Sequence, residues 1–258
     1  MLLSTQGLVL HTTKYAETSI IAKVFTRELG LCSYIVKGVR SASGRTKQNL
    51  LQPMSHLEMT VYNNPKKQMQ YIKEMHPAAH YSETHADPVG LALLFFMDEV
   101  LYKSLKESEP NTPLFDYVAD ELLALNSHFA TTTEEPATQR INTYPINFLL
   151  GTARHLGIEP MDNYSHRMPS FNLKEGRFFP SPTTFTAASN PNSDYFLDTA
   201  SSSCFHGCLS SHASQTPMPH LDARQRNTTL SNLLEYYHIH LSDFNNFTSH
   251  QILHSVLR

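Results

Sequence analysis

Residues 19–37 read SIIAKVFTRELGLCSYIVK, and the fold turns on them. Ser19–Thr26 and Leu31–Lys37 are strand-length runs rich in β-branched, aliphatic and aromatic residues. Between them Arg27-Glu28-Leu29-Gly30 has the composition of a tight turn, with Gly30 free to take positive φ. The stretch is therefore a β-hairpin. Working outward, Gly7–Thr13 precedes it as another strand, while Ser55–Tyr62 and Gln68–Glu74 follow it, joined through a turn at Asn63-Asn64-Pro65-Lys66. In Ser55–Tyr62 the residues Leu57, Met59 and Val61 share one face and Glu58, Thr60 and Tyr62 the other. Five short strands with one long connection fit a small closed barrel such as the OB-fold; an SH3-like barrel has a similar strand count.

The long connection, Gly38–Asn49 (GVRSASGRTKQN), carries Arg40, Arg45 and Lys47, two glycines and no anion, and Lys37 ends the strand that feeds it. Phosphates need well-placed donors, and glycine permits close approach of a backbone to them. Lys66 and Lys67 lie in a second loop, and Lys14 follows the first strand. Tyr15, Tyr34, Tyr62 and Tyr71 offer rings on which bases stack, with half-buried strand packing as the ordinary alternative for each. The candidate polyanion-binding set is Lys37, Arg40, Arg45, Lys47, Lys66, Lys67, Lys14 and Tyr62. Charge points the same way. The chain totals −3, yet residues 1–80 hold ten basic and four acidic side chains (+6), and residues 81–258 hold ten and nineteen (−9).

The fold class is α+β: a five-stranded OB-type barrel over residues 1–80 and a mainly helical domain over 81–258. After a polar break at His80–His85, Asp87-Pro88 opens a helix, Asp as N-cap and Pro at its first position. As far as Lys106 apolar residues recur at Leu91, Leu94, Phe95, Leu101, Tyr102 and Leu105. Leu93, Phe96 and Val100 fill the opposite side, so the helix is expected to be buried, with Asp98-Glu99 on its polar edge. Leu114–His128 is a second helix, Thr131–Thr138 a loop, and Gln139–Leu156 a third helix that contains Pro145 and stops at Gly157. Asp222–Leu241 and Thr248–Leu257 are two more. Residues 158–221 read as an irregular insertion, with a small hairpin over Phe171–Phe179 turning at Glu175-Gly176. Ser181–Pro219, dominated by Ser, Thr, Asn and Pro, reads as a long loop.

Met1-Leu2-Leu3-Ser4 lacks the cationic start of a secretory signal, and the longest apolar run, Leu91–Met97, is far short of the roughly 20 residues that span a bilayer. Three cysteines make no disulfide framework. The expectation is a cytoplasmic protein with no membrane partner. Cys204 and Cys208 are weak metal candidates, with His206, His212 and His220 available to complete a Cys2His2 set, but fifteen histidines are scattered through the chain, so some near a cysteine are expected by chance and no cofactor is expected. No nucleotide-binding glycine loop, nucleophile elbow or HExxH motif occurs, so no catalytic residue is assigned.

With these residues in view, the opening GLVLHTTKYAETSIIAKVFTRELGLCSYIVKGVR, residues 7–40, resembles the start of the bacterial RecO recombination-mediator family. The matching elements are Glu17-Thr18-Ser19, Phe25-Thr26, Gly30, the run Lys37-Gly38-Val39-Arg40 and the later Leu51-Gln52-Pro53. Phe148–Gly157 and Leu234–His240 are similar to the family's helical portion. The resemblance implies an N-terminal OB-fold, a helical domain and a non-enzymatic role in DNA repair in a bacterial, nucleoid-associated protein. It further implies binding of single- and double-stranded DNA and annealing of complementary strands. The implied protein partners are the tail of single-stranded-DNA-binding protein (SSB) and RecR, with which such proteins help load RecA. Lys37 and Arg40 occupy the family's basic motif. Many relatives carry a four-cysteine zinc site where this chain has the 158–221 insertion. Two other classes remain open to the residues themselves: an OB-fold RNA-binding protein and a metal-dependent hydrolase.

Overall fold

Five strands, β1 (Leu2–Tyr15), β2 (Ser19–Thr26), β3 (Gly30–Val36), β4 (His56–Tyr62) and β5 (Met69–Pro77), close into a barrel in the order β1-β2-β3-β5-β4, with β4 returning to β1. This computed structural model describes residues 1–40, 44–64, 66–107, 109–131, 135–181 and 193–257. Its contacts divide the chain into two compact units, Met1–Thr131 and Thr132–Arg258. The β2–β3 hairpin forms with Phe25 opposite Leu31 and Ile20 opposite Val36. All barrel pairings are antiparallel except β3–β5, where Tyr34 lies opposite Gln70 in a parallel ladder. This Greek-key closure is OB-like.

Alternation decides what fills the barrel. Val9, Ala22, Val24, Tyr34, Leu57, Met59 and Val61 are buried together, and Glu58 and Tyr62 point outward as their register requires. Tyr34 therefore does not serve as a stacking surface. It is wholly buried, two positions from Val36 on the same inward face. At the β2–β3 turn Gly30 takes φ +70°, and a Cβ there would lie 2.3 Å from the Glu109 carbonyl oxygen. Only glycine lets that connection run beside β3, where Glu107 bridges to Leu31.

The helices of the first unit are α1 (Arg45–Asn49), α2 (Ser82–Ala86), α3 (Pro88–Ser104) and α4 (Thr112–Thr131). α2 replaces the expected polar break. α3 starts as read: the Asp87 carboxylate accepts from Val89 N at 2.7 Å and Gly90 N at 3.0 Å. Its inward side differs from the expected one. Leu93, Leu94, Phe96, Met97, Val100 and Leu101 are buried while Leu91 and Phe95 are exposed, because a helix apolar all round has no sequence stripe to orient it. Asp98 is also not on a polar edge. Its Oδ1 is sealed from solvent with no hydrogen-bond partner among the described residues, and burial pushes its carboxyl up to about 8.

α4 is fastened to the barrel at three points. Phe115 packs edge-on against Phe25 and His56, with ring centroids 5.5 and 5.7 Å apart. Arg27 grips Asp116 with both arms, at 2.7 and 2.9 Å, which holds that carboxyl below its usual range. Thr112 Oγ1 donates to the Arg27 carbonyl at 3.0 Å.

The second unit contains α5 (Glu135–His155), β6 (Ser170–Asn172), β7 (Arg177–Phe179), α6 (Thr199–Ala213), α7 (Ala223–His240) and α8 (Ser249–Val256). α5 runs through Pro145 without splitting. The expected hairpin forms as β6–β7, with Phe171 opposite Phe178. α6 is the main departure: fifteen residues of helix lie inside the stretch read as a loop. Asp198 caps it by accepting from Ser201 N at 2.7 Å, and Ser202, Phe205, Cys208 and Leu209 form its buried face. Residues 182–192 of that expected loop, and 132–134 of Thr131–Thr138, lie outside the described residues. Buried Tyr237 donates to the Leu149 carbonyl at 2.6 Å, joining α7 to α5. Among the described residues no helix is long and apolar enough to cross a membrane.

Asp98 makes the stability of the first unit depend on pH. Its folded pKa is raised, so the folded chain keeps a proton that the unfolded chain releases. Stability is therefore lost as pH rises from the ordinary carboxylate range towards about 8. Asp98→Asn is expected to raise the melting temperature by several degrees at pH 8.5, with the gain shrinking towards pH 5, as measured by thermal melts across that range.

Candidate nucleic-acid interface

Barrel closure gathers the end of β3, helix α1 and the β4–β5 connection around one groove of about 1140 Å³. Ile35, Val36, Leu50, Ile72 and Met75 supply its apolar lining. Lys37, Lys47, Lys67 and Lys73 supply ammonium groups, and Tyr62 and Tyr71 supply rings. The two tyrosines are direct cross-strand partners on β4 and β5 and are 48% and 37% exposed. Strand pairing sets them beside one another, since opposite residues of an antiparallel pair have Cβ atoms about 5 Å apart.

Each cation is positioned differently. Lys37 follows β3 directly, and its ammonium stands over the Tyr71 ring, 5.3 Å from the centroid. Lys47 rides on α1 and donates from Nζ to the Lys37 carbonyl at 3.4 Å. Lys73 pairs with Glu74 at 3.3 Å, so part of its charge is already met. Lys67 is held through Gln70. That side chain is buried, accepts from Asn64 N at 3.0 Å, and donates from Nε2 to the carbonyls of Asn64 (2.7 Å) and Lys67 (2.8 Å). Composition gives no hint of this role; only the i to i−3 and i to i−6 bonds of a folded turn show it.

Of the eight residues proposed from the sequence, Lys37, Lys47, Lys67 and Tyr62 line the groove. Arg40, Arg45, Lys66 and Lys14 are exposed but do not line it. Arg40, in the connection after β3, is tied to the β1–β2 turn: Nη1 donates to Ala16 O at 3.3 Å and its backbone N to Thr18 O at 3.1 Å. Lys14 lies on β1 opposite Ile20, next to that same turn. Ser41–Ser43 of the long connection and Pro65 of the second loop lie outside the described residues. Gly44 is not a point of phosphate approach. It is buried, and a Cβ there would lie 2.3 Å from the carbonyl oxygens of Gly38 and Val39, so it serves closure of the connection.

In the second unit Cys204 and Cys208 sit one turn apart on α6. Burial pushes the Cys208 thiol up to about 12 and also raises that of Cys204, which opposes the thiolate form that binds metals. His206 meets Asp162 Oδ1 at 2.7 Å and stacks on Tyr164, while His212 meets Asn147 at 2.9 Å. Among the described residues no three His, Cys, Asp or Glu side chains converge as metal ligands.

Comparison with known proteins adds a separate line of observation. The family model described as Recombination protein O N terminal matches residues 1–81. A DNA repair protein RecO from Flavobacterium johnsoniae is 31% identical over 69% of this chain and 71% of its own length. Those of Christiangramia forsetii and Phocaeicola vulgatus are 29% and 28% identical, over 99% of both chains and over 95% and 94% respectively.

The Gln70 bonds carry a testable consequence. Gln70→Leu is expected to release the turn that presents Lys67; if the groove holds a single strand, binding weakens severalfold and its salt dependence becomes shallower by about 0.7, the share of one phosphate contact. Salt titrations of Gln70→Leu, Lys67→Ala and the double variant check this, because the double variant then loses little beyond either single one.

Proposed function

The chain belongs to the RecO family of DNA repair proteins, and on that premise we propose that it is a non-enzymatic recombination mediator. In this reading it binds single- and double-stranded DNA through the basic side of the barrel and anneals complementary strands. Together with RecR it helps load RecA on strands coated by SSB, whose C-terminal tail it contacts. The observation that carries the reading is the groove in which Lys37, Lys47 and Lys67 surround Tyr62 and Tyr71.

The mechanism is electrostatic rather than chemical. Two complementary strands repel through their phosphates. Lysines that neutralise some of those charges release condensed counterions and lower the repulsion when strands meet. Point-charge ammonium groups on flexible stems suit this work, since they track a backbone without reading its bases. Arg40, Arg45 and Lys66, exposed on the barrel's connections, and Lys14, exposed on β1, extend the cationic surface beyond the groove.

Two measurements test the proposal. Replacing Lys37, Lys47 and Lys67 together by Ala is expected to make the single-strand salt slope shallower by about 2, from roughly 0.7 per phosphate contact, for mixed sequences alike. An unchanged slope overturns the groove as the DNA site. The second is strand annealing on strands pre-coated with SSB, with and without its acidic tail. The mediator reading expects annealing that the tail stimulates, and absence of any annealing overturns it.

A further inference from the structure

We infer that the Tyr71 ring is the group by which the groove selects unpaired strand over duplex, and that Lys37 covers this ring until a base replaces it. The inference rests on the groove being the DNA site and goes beyond phosphate neutralisation, which serves single strands and duplex alike.

Three features of the groove lead there. First, one of the groove's lysines is spent on a ring: the Lys37 ammonium stands 5.3 Å from the Tyr71 centroid. A base stacked on an aromatic face is held more strongly than an exposed ammonium over it, so an arriving base wins the face. The displaced ammonium then lies beside the sugar-phosphate chain that brought the base. One event makes both contacts. Second, the walls behind the ring are hydrocarbon, including Ile35, Leu50, Ile72 and Met75. Such a lining favours the face of a base and disfavours a hydrated phosphate. Third, at about 1140 Å³ the groove exceeds the roughly 300–1,000 Å³ of ordinary small-molecule pockets, which leaves room for a segment of polymer.

A duplex cannot use this arrangement. Its bases are already stacked and paired, and it presents phosphates and groove edges to the protein surface. It therefore meets Lys47 and Lys67 but leaves the Tyr71 ring under Lys37. Tyr62, opposite Tyr71 in the β4–β5 register, flanks the same mouth.

The full-length chain tests this with a mixed-sequence single strand carrying 2-aminopurine, whose fluorescence is quenched on stacking, and with the matched duplex. The chain has no tryptophan to interfere. Tyr71→Leu is expected to remove most of the quenching at saturation and weaken single-strand binding about tenfold, with a much smaller effect on duplex. Tyr71→Phe keeps the ring and is expected to retain quenching and affinity, which guards against a general loss of folding. Lys37→Met uncovers the ring, so quenching at saturation persists while the salt slope becomes shallower by about 0.7. Equal loss on both substrates, or undiminished quenching in Tyr71→Leu, overturns the inference. The DNA reading of the groove is tested apart by Lys47→Ala with Lys67→Ala: weakened binding to both substrates sustains it, and unchanged binding to both overturns it along with the inference.

Discussion

One strand closes the barrel, and the rest of the first unit depends on it. β1 pairs with β4 through Leu2–Leu8 and with β2 through Gly7–Tyr15, and its register with β2 slips between Val9 and His11. That irregularity lets one continuous strand bend from one neighbour to the other, as bulges do in small barrels. Closure then leaves β3 and β5 to meet in parallel, and this pairing brings Lys37, at the end of β3, to the Tyr71 ring on β5. The groove is thus a product of closure. Its residues come from position 1 and from the stretches 35–37, 46–50, 62–67 and 70–77, which no local interaction would assemble.

Charge is organised by the same closure, though differently from a simple split along the chain. Residues 1–80 carry +6, but residues 82–131 hold nine acidic and two basic side chains (−7), so the first compact unit totals −1. The second unit, with eight basic and ten acidic groups, totals −2. Neither unit is strongly charged. The contrast lies within the first unit, between a basic barrel and the acidic helices that belong with it. Arg27–Asp116 and Lys23–Glu107 are points where the two signs meet, at 2.7 and 3.0 Å. Barrel cations near the helices are therefore partly neutralised. Among the described residues no ion pair forms at Lys37, Lys47 or Lys67, which concentrates available charge at the groove.

Local chemistry made much of the molecule legible in its sequence. The five strands, the β2–β3 turn at Gly30, the Asp87 cap and the β6–β7 hairpin all follow from residues acting on near neighbours. Failures came where composition and burial disagree. α6 is rich in Ser and Cys, so its one buried stripe of Ser202, Phe205, Cys208 and Leu209 is faint against a polar background. α3 has the opposite problem: apolar residues on every side hid that Phe95 faces out and Asp98 faces in.

The sequence by itself determined the class of the fold, the family and the basic, aromatic character of the barrel, because strand alternation, turn residues and charge are properties of residue types in order. Only the tertiary structure decided which of those residues act together. It drew Lys37, Lys47, Lys67, Tyr62 and Tyr71 to one groove, sent Tyr34 inward, and left Arg40 and Lys14 at the β1–β2 turn. It also exposed Gln70 as the residue that shapes the Lys67 turn. The physical reason is that barrel closure couples strands far apart in sequence, so the direction of each side chain is settled by register and pairing rather than by its own identity.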